Sequence, residues 1–439
     1  MIYFYSYKLT PRVQYICTHV FSNLLNQEIS WVRSLDMLPN SKEQVVVAYT
    51  SEDCPKGVFC IRPHGMLFRK GIREQQIEMG EWQGLKTFFQ TEGGDLPFDI
   101  FAASFYLLTR YEEYLAQGDQ LDKAGRFKAT ASLAYQQDFL QLPLVDMWAM
   151  AFEKALQQHF ACYTTSVSRT FSFRPVVIID RLFKYQNTSI LHNIGSLWMK
   201  LFTGKWNAMQ VQLKALLHIT ADPFCNVSDL LQLHNRNNLL PIFFLRIEHK
   251  KWWVRPWYAT KRAYRNLLAH NYMFELCATA DAAVSMNRLL SQRKKLFSIT
   301  RSQVTMNSYN DTKFALPQAY RNLIKASIKE DYSMAYIDSI GFRASTCTPF
   351  KYYDLEKEDY YKLLIHPIAV MDNVFLGQHA KRDELYKMML QMAQMVSSVG
   401  GEMVSVFHND VLSENGKWRH YVPAYESAVR AIANLEVKS

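Results

Sequence analysis

The sequence has little of what marks fibrous, linker-rich or membrane-spanning chains. It contains only 16 Gly and 14 Pro in 439 residues, which excludes collagen-like and linker-rich architectures. Its clearest apolar run near the middle, residues 239–245, is far shorter than the roughly 20 residues that cross a bilayer as a helix. Residues 1–21 lack a small-residue cleavage site, and Lys8 and Arg12 interrupt their apolar residues. A signal peptide is therefore not indicated, and we expect a cytoplasmic protein without a membrane span.

Cysteine is sparse and unpatterned as well. The 7 cysteines are scattered, odd in number and never form a C-x-x-C pair, which argues against a disulfide framework and against a zinc ribbon. The spacing of Cys54 and Cys60 could bring two thiols together, but we expect two separate, partly buried thiols. A glycine-rich phosphate loop and the HExxH and GxSxG motifs are also absent. No single motif therefore indicates an enzyme class.

The chain does have enough apolar surface to fold. Hydrophobic residues make up 49% and aromatic residues 14% of it, which favours large buried cores over disorder. A formal net charge of +10 permits contact with polyanions without requiring it. At this length we expect two domains that divide in the polar stretch 163–170. They are an N-terminal α/β domain of residues 1–165 and a second domain of residues 166–439.

The first domain is predicted to contain two clear helices. Residues 96–118 have recurring apolar side chains, begin with Pro97 and Asp99 and end at Gly118, as helices commonly do. A second amphipathic pattern covers residues 145–160. These helices accompany strand-like runs, which makes the domain α/β.

The second domain alternates strands with helices. Residues 172–180 form a short apolar run rich in branched side chains, which is typical of a central strand buried on both faces. Helices are expected over residues 190–217 and 383–400, and strands over residues 296–300 and 402–408, among others. A strand-then-helix order repeated over this length predicts a parallel sheet or barrel rather than a sandwich.

Three polar residues follow apolar strands of the second domain. They are Asp180, Asp372 and His408. The C-terminal strand ends of a parallel barrel carry its chemistry, and imidazole is a suitable proton donor near neutral pH. The alternatives are ordinary, since an Asp after a strand is often a helix N-cap or turn residue and a lone His is often a satisfied core residue.

Asp331 and Arg343 lie around a short predicted strand. The guanidinium of Arg343 could bind a carboxylate or a substrate oxygen, or it could form a structural ion pair, and the sequence leaves both open. We expect Asp331 to contact substrate. We also expect Arg343 to converge with Asp180, Asp372 and His408 on one cleft at the strand ends.

Residues 246–265 are basic and aromatic. They contain seven Lys or Arg against one Glu, interleaved with Trp252, Trp253 and Trp257. Aromatic faces stack on sugar rings, and the cations would bind acidic glycans or phosphates. The alternative is a basic helix whose aromatic residues pack inward while Lys and Arg stay in solvent. Because no nucleic-acid-binding motif accompanies the segment, we expect a carbohydrate or acidic glycan as the partner, and not a nucleic acid.

Several segments carry a resemblance to a known family. The tracts FDIFAASFYLLTRYEEYL, GRF and PLVDMW resemble the N-terminal domain that precedes polysaccharide deacetylase modules in Bacteroidetes proteins. The tracts PVVIIDRLFKY, DYSMAYIDSIGFRASTCTPFKYYDLE, PIAVMDN and GGEMVSVFHNDVL resemble the deacetylase module itself, of the carbohydrate esterase family 4 type. The resemblance covers nearly the whole chain. It implies a distorted (β/α) barrel with its site at the C-terminal strand ends.

The resemblance also implies a chemistry. In that family one Asp and two His hold a divalent metal, which polarises an N-acetyl carbonyl and lowers the pKa of its bound water. A second Asp acts as base and a late His as acid. On this sequence the metal Asp matches Asp180, the late His matches His408 and the site Arg matches Arg343.

The sequence departs from the family at the other positions. The base position falls on Ile178, which cannot accept a proton, and the metal-histidine segment falls on residues 274–283, which contain no His. Ser308 and Asn310 stand where related proteins carry Arg and His. Asp180 is then the one residual ligand position, although a catalytic zinc usually has three protein ligands. We expect no cofactor, and a divalent metal only if the site is rearranged.

Three functions are compatible with these residues. The first is a catalytically degenerate deacetylase-like protein that serves as a carbohydrate-related binding or accessory protein. The second is an active metal-dependent amide hydrolase, an N-deacetylase of acetylated amino sugars, with Asp180, Asp372 and His408 in a rearranged site. The third is a scaffold or interaction protein without a small ligand. Metal content separates the first two, and glycan binding separates the first from the third.

Overall fold

The N-terminal half is built on a parallel four-stranded sheet. A computed structural model of the chain describes residues 1–165, 169–186, 188–247, 261, 274–378, 381–414 and 416–437. The sheet has the order β2-β1-β3-β4, with β1 (Ile2–Ser6), β2 (Ile29–Val32), β3 (Val45–Tyr49) and β4 (Phe59–Ile61). All five residues of β3 are buried, because this inner strand packs against apolar side chains on both faces.

Four helices and a hairpin complete this half. They are α1 (Pro11–Thr18), α2 (Ile100–Leu108), α3 (Leu133–Gln136) and α4 (Leu144–His159), with the hairpin β5 (Met79–Trp82) and β6 (Leu85–Phe88). Helix α4 confirms the helix predicted over residues 145–160. Helix α2 is shorter than the prediction over residues 96–118. It begins after Asp99, whose side chain accepts a hydrogen bond from the Ala102 N–H, and it ends before Arg110, whose φ of 54° is left-handed.

The C-terminal half is a closed barrel of seven parallel strands. They are β7 (Ser172–Ile179), β8 (Ile242–Leu245), β9 (Phe274–Ala278), β10 (Met306–Tyr309), β11 (Glu330–Met334), β13 (Asp359–Met371) and β14 (Glu402–His408). Neighbours pair in parallel in this order, and β14 pairs with β7 to close the barrel. Strand β12 (Phe350–Asp354) joins β13 antiparallel. The predicted α/β class, with an N-terminal α/β region and a distorted (β/α) barrel, is therefore confirmed.

Helices separate most of these strands along the chain. They are α5 (Ile190–Phe202), α6 (Trp206–Leu216), α7 (Val227–Asn235), α8 (Ala280–Val284), α9 (Met286–Thr300), α10 (Gln318–Lys325), α11 (Asp372–Gln378), α12 (Arg382–Ser398) and α13 (Val422–Glu436). Helix α12 confirms the prediction over residues 383–400, whereas the stretch 190–217 is divided in two by a turn at Gly204. Within the described part of the chain, no helix is both long and apolar enough to cross a membrane.

The strand predicted over residues 296–300 is wrong. These residues form the last turn and a half of α9, which Ser285 caps by accepting a hydrogen bond from the Arg288 N–H. The buried positions of α9 include Leu289, Leu296 and Ile299, at the spacing of a single helical face. The short apolar run was therefore part of a longer helical period.

The barrel interior has an apolar middle and two polar ends. One apolar cluster combines side chains from six of the seven strands, namely Val176, Ile178, Phe244, Cys277, Tyr332, Ile368, Met371, Val404 and Val406. At the N-terminal strand ends, Glu402 accepts a hydrogen bond of 2.7 Å from Arg174 Nε and lies 2.6 Å from His366 Nδ1. Glu330 lies 3.2 Å from His366 Nε2. The charged groups at this end pair with one another, and the candidate site residues that follow apolar strands lie at the opposite, C-terminal end.

The two halves share one hydrophobic core. A single cluster of buried side chains runs from Ile2 to Ala433, so packing does not divide the chain at residue 165. Charged groups also cross between the halves: Arg12 Nε of α1 donates to Glu358 Oε2 at 2.7 Å, next to β13. The division into residues 1–165 and 166–439 stays a prediction.

Cys54 and Cys60 form a disulfide, with Cα atoms 6.3 Å apart. This separation is within the usual range for paired cysteines. The expectation of two separate thiols is therefore wrong. The turn between β3 and β4 brings the two residues together, and a spacing of six residues does not by itself specify that turn.

Candidate functional site at the C-terminal strand ends

The alternation of β7 directs Asp180 to the C-terminal end of the barrel. Val176 and Ile178 point into the barrel interior, and Asp180 is the next residue in that series. The same alternation on β8 takes Phe244 to Arg246, and on β14 takes Val406 to His408. Charged side chains from neighbouring strands therefore meet above the apolar middle.

Asp180 and Arg246 form an ion pair across the ends of β7 and β8. Arg246 Nη1 donates to Asp180 Oδ1 at 2.6 Å, and it lies 3.4 Å from Asn310 Oδ1, just after β10. Asn310 Nδ2 in turn donates to Asp311 Oδ2 at 2.6 Å. Burial lowers the pKa of Arg246, but the adjacent Asp180 outweighs it, so the pKa is raised and the guanidinium stays charged.

His408 and Asp372 form a second charged pair at the same end. His408 Nδ1 lies 2.9 Å from Asp372 Oδ1, and the His408 backbone N–H donates to Asp372 Oδ2 at 2.6 Å. Burial lowers the pKa of His408, but attraction and hydrogen bonding to Asp372, with a further contribution from Asp180, raise it to about 9. Burial raises the pKa of the neighbouring Asp410. The imidazolium is therefore protonated at neutral pH, as a proton donor or hydrogen-bond donor would be.

The structure gives Arg343 a buried carboxylate partner in the N-terminal half. Its Nε and Nη2 donate to the two oxygens of Glu113, at 2.8 and 2.6 Å, and its Nη1 donates to the Ala335 carbonyl at 3.1 Å. Arg110 Nε binds the same Glu113 at 2.8 Å. Of the two alternatives that the sequence left open, this contact is the structural ion pair. Arg343 therefore joins the halves of the protein, whereas Asp180, Asp372 and His408 lie together.

Asp331 lies on the outer side of β11. Its neighbour Tyr332 packs inside the barrel, so Asp331 faces the surrounding layer, where it accepts hydrogen bonds of 2.9 Å from both Asn307 Nδ2 and Ser333 Oγ. Burial raises the pKa of Asp331 to about 6. The side chain is fully buried among its partners, so a role in substrate binding stays a prediction that these contacts do not favour.

The remaining predicted residues are the three tryptophans and the positions at which the sequence departs from the family it resembles. Trp252, Trp253 and Trp257 lie outside the described residues. Ile178, which the resemblance places at the position of the base, is buried in the apolar middle of the barrel. Ser308 is buried too, and its hydroxyl donates to the Tyr332 carbonyl at 2.7 Å.

The residues that the structure describes do not fit the divalent metal that the resemblance implies. Among the described residues, no group of three or more His, Cys, Asp or Glu side chains is arranged to hold a metal ion. Asp180, the ligand position that the resemblance implies, binds the guanidinium of Arg246 at 2.6 Å. A cation bound to Asp180 would therefore meet a fixed positive charge at close range.

Two residues of this region were missed by the sequence reasoning. Arg246 was assigned to the basic segment 246–265, although it follows β8 as Asp180 follows β7, and that shared position could have indicated the pair. Glu113 was read only as part of a helix. No local signal connects it to Arg343, which lies 230 residues away in sequence.

The comparisons with known proteins give a partial family match. A family of unknown function, DUF7033, matches residues 2–161. No curated protein matches the chain. A solved structure from Mycobacterium smegmatis named "putative polysaccharide deacetylase" is 10% identical, with a TM-score of 0.40, over 62% of this chain and 86% of its own. A 4-alpha-glucanotransferase from Thermococcus litoralis is 12% identical, with a TM-score of 0.35, over 61% of this chain and 38% of its own. Structural similarities this weak do not support a conclusion about function.

Proposed function

We propose that this chain is a catalytically degenerate, deacetylase-like barrel that acts as a carbohydrate-related binding or accessory protein. The observation that carries the proposal is the ion pair of Asp180 with Arg246. It places a charged guanidinium beside the one carboxylate that matches a metal ligand of the family. The isoleucine at position 178 supports the same conclusion independently, because it leaves the family's base position without a proton acceptor.

The charged groups of the cleft suit a hydroxyl-rich or acidic ligand. Arg246 and protonated His408 donate hydrogen bonds, while Asp180 and Asp410 accept them, and sugars offer both kinds of partner. The cations would also bind a carboxylate or phosphate on an acidic glycan. The basic segment 246–265, with its three tryptophans, would extend this recognition to sugar rings.

The test is carbohydrate binding by the full-length chain and by a matched pair of variants. We expect a glycan array to identify ligands and Arg246→Ala to weaken their binding about tenfold or more, the usual effect of removing a charged hydrogen-bond donor. Arg174→Ala is the control, because Arg174 makes a similar ion pair with Glu402 at the opposite end of the same barrel. It should leave the dissociation constant unchanged. Absence of glycan binding would favour the scaffold hypothesis instead.

Metal content and acetate release test the degenerate state directly. We expect elemental analysis to find no stoichiometric zinc, and acetylated amino sugars to release little or no acetate. General-base help is typically worth about 10²–10⁴-fold, and Ile178 cannot supply it. About one metal per chain, together with acetate release that Asp180→Ala abolishes, would contradict this proposal.

A second candidate is amide hydrolysis with His408 as the acid. The contact that favours it is the pair of His408 with Asp372, which keeps the imidazole protonated at neutral pH. If this candidate is correct, His408→Gln would lower kcat for acetate release, while Asp331→Asn, outside the barrel interior, would not. Equal activity of the wild-type chain and His408→Gln would exclude it.

A further inference from the structure

Helices α5 and α6 form a hairpin whose buried contacts are polar. Gln212 of α6 is buried, and its Nε2 donates to the backbone carbonyl and the side-chain Oδ1 of Asn193, at 3.2 and 3.1 Å. Ser196 Oγ donates to Gln212 Oε1 at 3.1 Å, and Lys200 also contacts that oxygen. The two helices therefore contact each other through hydrogen-bonding side chains. In a helical hairpin exposed to water, apolar side chains would be expected between the helices instead.

The apolar side chains of the hairpin point outward. Trp198 is 56% exposed and Phe202 is 81% exposed, and their rings stack with centroids 5.7 Å apart. We call the outer surface of this hairpin the hairpin face. Its exposed apolar side chains include Leu191, Ile194, Trp198, Phe202, Trp206 and Leu217. A group of large, exposed apolar side chains on a folded protein commonly marks an interaction site.

The hairpin is also free of acidic residues. From Arg181 to Ala221 the chain has five Lys or Arg and no Asp or Glu. Lys205 and Lys214 are exposed next to the apolar side chains. This combination disfavours a second copy of the chain as the occupant, because two such faces would bring like charges together. The hairpin face is instead complementary to a surface with an apolar interior and negative charges at its boundary with water.

We propose that the hairpin face docks on the surface of an anionic lipid bilayer. Helices with Trp, Phe and Leu on one face and lysines beside them lie in the bilayer interface, with the apolar side chains among the acyl chains and the cations at the headgroups. Trp198 and Phe202 enter the apolar region, and Lys205 and Lys214 bind lipid phosphates. Helices α5 and α6 lie on the bilayer in this arrangement and do not cross it.

The hairpin is fixed at the same end of the barrel as the candidate cleft. It follows β7, and Asp222 at its far end accepts hydrogen bonds from the backbone N–H groups of Lys184 and Tyr185, at 2.6 and 2.8 Å. Asn409, next to His408, donates to the Arg181 carbonyl at 2.9 Å. Docking would therefore bring the cleft end of the barrel towards the bilayer.

Vesicle co-sedimentation tests the proposal. The full-length protein should sediment with vesicles of phosphatidylcholine mixed with phosphatidylglycerol, and much less with phosphatidylcholine alone. Trp198→Ser combined with Phe202→Ser should weaken vesicle binding at least about tenfold. A tenfold change in affinity corresponds to about 1.4 kcal/mol, and burying one large apolar side chain contributes at least that much. Lys205→Glu combined with Lys214→Glu should remove the preference for anionic vesicles, and added salt should weaken wild-type binding.

A matched control is available on the N-terminal half. Met37 and Tyr135 are exposed there, 66% and 46%, so Met37→Ser with Tyr135→Ser removes exposed apolar surface elsewhere and should bind vesicles as the wild type does. Equal loss in this control, or no sedimentation of the wild type with either vesicle, overturns the proposal. The proposal is also overturned if the wild type does not bind vesicles but forms a dimer in sedimentation velocity, and Trp198→Ser with Phe202→Ser converts that dimer to a monomer. Circular dichroism verifies that every variant is folded.

Discussion

At the scale of single residues, the pair of His408 and Asp372 makes a pH-dependent contribution to stability. The folded-state pKa of His408, about 9, lies above the ordinary value of 6.5. Stability from this pair is therefore fully present below about pH 6.5 and is lost as the pH rises through about 9. The total loss is roughly 3 kcal/mol, from about 1.4 kcal/mol for each pH unit. Urea denaturation of the wild type at pH 6 and pH 9 should show it.

His408→Gln is the matched variant for that measurement. Glutamine still offers a hydrogen bond to Asp372 but does not titrate. The variant should be less stable than the wild type at pH 6 and lose less stability on going to pH 9. If both proteins lost the same free energy of unfolding between these pH values, His408 would not be the titrating group.

Arg343 is predicted to act through stability rather than chemistry. Burial raises the pKa of its partner Glu113, but Arg343 and Arg110 outweigh burial and lower it to about 2. Arg343→Met removes one of the two cations and leaves only Arg110 to balance the charge of the buried Glu113. Breaking a buried ion pair in this way typically lowers the free energy of unfolding by about 3–5 kcal/mol. Urea denaturation measures this loss.

A more exposed ion pair is the control for Arg343→Met. Arg126 Nε donates to Asp122 Oδ2 at 2.7 Å in the N-terminal half, with both side chains partly exposed. Arg126→Met should therefore cost about 1 kcal/mol or less. A cost for Arg343→Met as small as this would contradict the structural role.

Position along a strand was enough to predict where some of these side chains lie, although their roles in a site stay a prediction. Asp180, Asp372 and His408 follow apolar strands, and parallel strands bring their C-terminal ends together, so their proximity follows from the fold class. The partners Arg246 and Glu113 could not be read in the same way. Their pairing depends on which loops fold over the strand ends, and that is set by tertiary packing.

At the scale of elements, Asp99 joins helix α2 to the N-terminal sheet. Its carboxylate accepts hydrogen bonds from the Ala102 N–H at 2.9 Å, the Tyr49 hydroxyl at 2.6 Å and the His64 N–H at 2.8 Å. Asp99→Ala removes the helix cap and leaves buried donors unpaired. We expect a loss of about 2–4 kcal/mol in the free energy of unfolding.

Asp99→Asn separates the hydrogen bonds of Asp99 from its charge. Asparagine caps helices as well as aspartate does, so this variant should lose much less stability than Asp99→Ala. Burial raises the pKa of Asp99 to about 6, so its ionisation opposes folding as the pH rises from about 4 to 6. The advantage of wild type over Asp99→Asn should accordingly shrink over that range. Equal losses in both variants at pH 7 would exclude the hydrogen bonds as the cause.

Element prediction failed where a short apolar run belonged to a longer period. Residues 296–300 looked like a strand because a window of five residues does not distinguish a buried strand from one face of a helix. The run 172–180 was assigned correctly, since its branched apolar residues are continuous and a turn follows. Strand β14 covers residues 402–408, as the sequence indicated.

At the scale of the whole molecule, the two halves are connected by buried polar groups as well as by a shared core. Asp146 of α4 accepts hydrogen bonds from Thr346 Oγ1 at 2.6 Å and the Cys347 N–H at 3.0 Å, both in the loop before β12. Glu113 and Arg343 make a second connection, and Arg12 with Glu358 a third. The sequence predicted a boundary near residue 165 but no interface, because residues that are far apart in sequence make it.

These connections predict that the halves unfold together. Glu358 accepts hydrogen bonds from Arg12 Nε at 2.7 Å and from the Gly71 N–H at 2.8 Å, so Glu358→Gln leaves the buried guanidinium of Arg12 without its counter-charge. If one cooperative unit is present, hydrogen exchange in urea should show peptides from β3 and from β14 losing protection at the same denaturant concentration. Glu358→Gln should lower the midpoint urea concentration of both strands equally, by an amount that corresponds to about 3 kcal/mol in the free energy of unfolding, although residue 358 lies outside both strands. A midpoint that falls for β3 alone would mean that the N-terminal half unfolds independently of the barrel.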